Sequence, residues 1–135
     1  MSKQKWLSRS LFYGPFLSLV TSQTQFQTIL KKLDIKDDSL YCNINANATT
    51  HTYIAKGDLC CVVGIDLSKI KNKDGIEIAS LLVHEAVHVW QNARSQIVEW
   101  VDAKRTGGLE AEMEAYAIQN ISSNLMKEYF RIVNE

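Results

Sequence analysis

The chain has 135 residues, with a hydrophobic fraction of 46% and a charged fraction of 22%, an ordinary globular balance. That length suits one compact domain over residues 1–135 and leaves no room for a second. Lys and Arg number 15 and Asp and Glu number 15, so neither a basic field for nucleic acid nor an acidic disordered tail is expected.

Residues 6–20 carry Trp6, Leu7, Leu11, Phe12, Tyr13, Phe16 and Leu17, broken by Gly14-Pro15. They read as an irregular segment packed on the core. The basic start, Met1 to Trp6, is followed by no apolar stretch of leader type. No apolar run reaches the ~18 residues a membrane span needs. Thr21 or Ser22 caps a short helix to about Leu33, with Phe26, Ile29, Leu30 and Leu33 at helical spacing. Asp34 to Ser39 is a polar loop, and Asn43 to Thr50 reads as either an edge strand or a loop.

Lys56-Gly57-Asp58 predicts a hairpin turn between strands at 51–55 and 59–65. The second strand is apolar throughout, so it is expected to be buried, and to offer an edge to an extended peptide. Its Cys60 and Cys61, with Cys42, show no disulfide or metal spacing. They are expected as small buried hydrophobes in a reducing cytoplasm.

Asp74 followed by Glu77 forms an acidic capping box that opens a helix from about Gly75 to Ala93. Ile78, Leu81, Leu82, Val89 and Trp90 supply its buried surface. Residues 95–108 show no readable pattern and are expected to border a substrate cleft, and Gly107-Gly108 breaks the chain before a last helix from Leu109 to about Arg131.

The chemistry concentrates in His84-Glu85-Ala86-Val87-His88. Residues four apart share a helix face, so His84 and His88 can aim imidazole nitrogens at one ion about 2.0–2.1 Å away. Glu85 stands beside that face, placed to act on water rather than to ligate. Two core histidines without a task are the plainer reading, but they would leave several polar groups to satisfy on an apolar helix. Zinc of this kind takes a third protein ligand and keeps a fourth position open. His51, the remaining histidine, reads as a strand or surface residue. Glu110, Glu112 and Glu114 on the last helix are the better source. On the wheel, Met113, Ala117, Ile121 and Leu125 form an apolar stripe that includes Glu110 and Glu114. Glu112 lies opposite, with Tyr116, Gln119 and Ser123. The acids also suit the first turns of a helix with no further role.

The two segments together resemble the gluzincin metallopeptidases, in particular minimal single-domain members. The run from His84 to Gln91, followed by Glu112 to Gln119, is similar to small metallopeptidase-type proteins of tailed phages and prophages. The resemblance extends from about Gly57 to Tyr129. It implies an α+β fold: a small zincin-like domain with a short sheet or hairpin, the histidine helix and a following glutamate-bearing helix. It implies Zn2+ as cofactor, held by His84, His88 and Glu112, with Glu114 next and Glu110 third. Tyr116 stands where the family pattern has Asp. The implied activity is hydrolysis of a peptide or protein, in a bacterial host cell or associated with a virion. Glu85 would take a proton from water and pass it to the leaving group. Tyr116 would donate to an oxyanion, orient a histidine or simply pack. Gln91 and Trp90 are expected in supporting and core positions. Two rival readings stand beside this one: a phage structural or interaction protein with zinc as a staple, and an apolar helical module without metal. Neither a nucleic-acid nor a membrane partner is expected.

Overall fold

The computed structural model describes residues 6–7, 16–97 and 109–135, apart from the side chains of 95–97 and 109–111. In chain order the elements are β1 (Phe16–Val20), α1 (Gln23–Lys32), β2 (Ala48–Ala55), β3 (Asp58–Ile65), α2 (Leu67–Ile70), α3 (Gly75–Ile97) and α4 (Leu109–Val133). This is a small α+β protein, with one three-stranded sheet and four helices among the described residues. The expected Gly14-Pro15 and Gly107-Gly108 breaks and the segment 98–108 lie outside those residues.

Local chemistry explains most element boundaries. Ser22 caps α1, its side chain accepting from the Gln25 amide at 3.2 Å. Lys56 and Gly57 both adopt positive φ, 53° and 82°. That is the backbone of a two-residue primed turn, which matches the twist of β2 and β3. Asp74 and Glu77 cap α3 reciprocally: the Glu77 amide donates to Asp74 Oδ1 at 2.8 Å, and the Asp74 amide to Glu77 Oε1 at 3.4 Å. Asp66 caps the short α2, which the sequence pattern does not announce, by accepting from the Ser68 amide. Asn43–Thr50 divides: 48–50 begin β2, and the residues before them are loop.

The sheet corrects two expectations. Residues 16–20 are a strand, not an irregular segment; β1 pairs parallel with β3, Phe16 opposite Cys60 through Val20 opposite Gly64. Its partner lies about forty residues away, so no local pattern betrays the pairing. The strand order is β1-β3-β2, so β3 is paired on both sides and has no edge to offer a peptide. Gly64 is required by a close approach, since a Cβ there would overlap the Tyr41 carbonyl oxygen.

Side-chain alternation along the strands builds two cores. Leu17, Leu19, Cys61, Val63 and Ile65 pack with Leu82, Ala86, Val89 and Trp90 of α3 and with Ala117, Ile121 and Leu125 of α4. On the opposite face Val20 and Val62 pack with Phe26, Ile29 and Leu30 of α1. The sheet is thus covered on both sides, with α3 seated against β2 and α4 alongside α3. All three cysteines are free and buried; burial pushes the Cys61 thiol up to about 11. On α4, Glu128 is buried and its carboxylate is gripped by Arg131, with 2.9 Å from Nη2 to Oε2.

Two measurements test these interactions. Asp74→Ala removes the α3 cap and should lower stability by about 1 kcal/mol, seen as a melting point lower by a few degrees. In the second, the Asp37 carboxyl is held down at about 2 by the Ser39 hydroxyl, the Tyr53 hydroxyl and the Ser39 amide. Unfolded, it titrates near 4. Its contribution is therefore full above that value and fades as pH falls towards about 2. Urea midpoints should drop across this window in the native chain and drop less in Tyr53→Phe, which lacks one of the three donors.

Candidate metal centre

The histidine segment lies in the middle of α3, on the border between its buried and exposed faces. Leu82, Ala86, Val89, Trp90 and Ala93 form the stripe that seats the helix on the sheet. His84 and His88 fall outside that stripe and are exposed, the His84 side chain by 67%. Glu85 falls at the edge of the stripe and is only 3% exposed.

The two imidazoles converge. His84 Nε2 and His88 Nε2 are 3.2 Å apart, with the rings nearly perpendicular at 78°. Two nitrogens bound tetrahedrally to one ion at 2.0–2.1 Å would be roughly 3.3–3.4 Å apart. Gln91 Oε1 lies 3.0 Å from His88 Nδ1. An amide oxygen only accepts, so in this contact Nδ1 is the donor. The Asn92 side chain donates to the His88 carbonyl at 2.9 Å.

Glu85 turns towards the sheet. Thr50 Oγ1 on β2 donates to its Oε1 at 2.9 Å, while Oε2 lies 4.0 Å from His84 Nε2. A carboxylate this buried is costly unless its oxygens find donors or a positive charge. The arrangement leaves one oxygen tied to the strand and the other on the histidine side.

Two grooves meet at His84 and Glu85. One is polar, lined by Thr49, Thr50, His88, Asn43 and Asn92; the other runs past Ala46, Ala48, Ile76 and Leu81. Besides His84 and Glu85 they share Ala48, the first residue of β2, and the loop before β2 contributes Asn43 to one and Ala46 to the other. Lys69 holds that loop, its Nζ donating to the carbonyls of Asn43, Ile44 and Ala46 at 3.1, 2.7 and 2.8 Å.

The glutamates of α4 are placed less decisively. Met113, Ala117, Ile121 and Leu125 are buried as the wheel predicts. Glu114, beside that stripe, is half-buried, and Glu112 is exposed. The Glu110 side chain lies outside the described residues. Among the described residues no group of three His, Cys, Asp or Glu side chains is gathered closely enough to hold a metal. Tyr116 is 54% exposed and so is not part of the buried core. His51 is a strand residue, its Nε2 3.0 Å from the Tyr41 carbonyl and its ring against Phe26. Trp90 is in the core, as expected.

Thr50, Lys69 and the two asparagines escape the sequence reading. Thr50 had one legible signal: with Ala48 and Thr52 it falls on one face of a strand by period two, but only if the strand is known to start before it.

No family model, curated protein or solved structure matches the chain.

A direct test of the histidine pair is available. If His84 and His88 hold zinc, Gln91→Leu should weaken that binding about 10- to 100-fold by releasing the His88 ring, measured by competition with a chromogenic chelator. Unaltered affinity would show that Gln91 does not support a ligand.

Proposed function

We propose that this chain is a zinc-dependent hydrolase acting on peptides or proteins, with Glu85 as its general base. The observation that carries the reading is the geometry of three side chains. Two Nε2 atoms converge at 3.2 Å, and a buried carboxylate stands beside them with one oxygen turned to their side.

The donor set suits zinc: two imidazoles on one helix face, one with its outer nitrogen held by an amide oxygen. His84 and His88 would hold the ion. The third ligand is assigned by resemblance to Glu112 or Glu114, with Glu110 behind them, on the helix packed beside α3. Zinc supplies a Lewis acid that polarises a carbonyl and acidifies water. Glu85 accepts the proton of the attacking water at Oε2 and returns it to the leaving amine. The polar groove beside Thr49 and Thr50 gives an extended substrate room along β2, which is paired on one side only among the described residues. Tyr116, exposed on α4, is assigned to an oxyanion or to a histidine only through the resemblance.

The rival in which zinc merely staples two helices needs a closed coordination sphere. Exposed histidines at the meeting of two open grooves favour the hydrolase instead. Glu85→Gln separates the two. It should retain zinc, by metal analysis of the dialysed protein, and lose cleavage of a quenched-fluorescent peptide mixture by 100-fold or more, on the order of a general base's contribution. Cleavage at the native rate would end the proposal. Zinc bound without any cleavage by the native chain, together with a large fall in melting point on chelation, would establish the staple.

A further inference from the structure

We propose that Thr50 is a positioning residue for Glu85: its hydroxyl decides which carboxylate oxygen is left for proton transfer. The proposal rests on the reading of Glu85 as the base. It does not depend on which glutamate completes the metal centre.

Thr50 sits within β2, paired with Val63 of the central strand. Its backbone is therefore held by the sheet rather than by a loop. Alternation puts Thr50 on the same face as Ala48, which belongs to the core beneath α3. His51 and Tyr53 point the other way, His51 against Phe26 of α1. The β-branched side chain is stiff about χ1, so a hydroxyl anchored on this strand has a fixed direction. It donates to Glu85 Oε1 at 2.9 Å. A hydroxyl has one proton to give, and giving it to Oε1 leaves Oε2 without a donor from Thr50. Oε2 is the oxygen that lies 4.0 Å from His84 Nε2.

Two consequences follow. The carboxylate plane is set by a contact between a helix and a strand, so the base is aimed before any substrate arrives. The contact also gives a buried carboxylate a hydrogen bond that the apolar core residues of the same helix, Leu82, Ala86 and Val89, cannot provide. Without that donor, Glu85 is free to swing into the open groove, where water solvates both oxygens equally.

Thr50→Val keeps the shape and removes the donor; Thr50→Ser keeps the donor and loses a methyl group; Thr50→Ala repeats the donor loss without a branched side chain. Each is first checked for a native-like melt and near-ultraviolet circular dichroism. With zinc-loaded protein and a quenched-fluorescent peptide mixture, the Val variant should lose roughly 10- to 100-fold in kcat. Its KM and zinc affinity should stay near the native values, and the Ser variant should recover most of kcat. A Val variant with native kcat overturns the proposal, as does a Ser variant as impaired as Val. If the native chain cleaves nothing, the hydrolase reading fails, and the positioning claim is decided by crystal structures of the native, Val, Ala and Ser forms. A Glu85 carboxylate displaced in Val and Ala but not in Ser supports positioning. A carboxylate left in place in all four overturns it.

Discussion

Helix α3 against the β2–β3 hairpin is the contact on which the remaining features depend. Leu82, Ala86 and Val89 enter a core whose other wall is Cys61, Val63 and Ile65, all of them nearly or fully excluded from solvent. A close-packed interface of this kind admits one rotation of the helix about its axis, because turning it would trade apolar burial for polar burial. Once that rotation is set, His84 and His88 have to face solvent and Glu85 has to sit on the seam. The grooves, the loop held by Lys69 and the Thr50 contact are then consequences of where the hairpin lies beneath the helix.

The seam separates two kinds of chemistry within five residues. The histidines stay in water, where two imidazoles can be close without a large desolvation penalty, and where an ion can reach them. The glutamate is withdrawn from water, where each hydrogen bond counts for more and conformational freedom is smaller. Under the proposed reading, a buried, oriented carboxylate beside an exposed histidine pair is what a site organised in advance of binding requires. Gln91 contributes on the histidine side what Thr50 contributes on the glutamate side: a polar contact that selects one atom of a symmetrical or near-symmetrical group.

How much of this was legible depended on the range of the interaction. The capping box at Asp74 and Glu77, the turn at Lys56-Gly57 and the stripe Met113, Ala117, Ile121, Leu125 involve residues within one or two turns of one another. Each appears directly as a spacing. β1 did not, because a five-residue apolar stretch is a strand only if a partner exists, and its partner β3 is far along the chain. The central position of β3 was hidden for the same reason. An apolar run signals burial, but whether both edges are used depends on strand order.

The sequence by itself determined the histidine pair. Spacing of four on a well-capped helix brings two side chains together whatever surrounds them, since the helix is closed by its own hydrogen bonds. It also determined which face of α4 is buried, because apolar periodicity and burial are the same fact. Only the tertiary structure decided what lies across from Glu85. Thr50 stands 35 positions away, and its hydroxyl reaches Oε1 because the hairpin passes beneath α3 at that point. The tertiary structure also left Glu112 exposed and Glu114 half-buried, since the rotation of α4 follows its packing on α3 and the sheet rather than its acidic residues. Local hydrogen bonding is written in neighbouring residues, whereas a contact between two elements is settled by how both pack on a third.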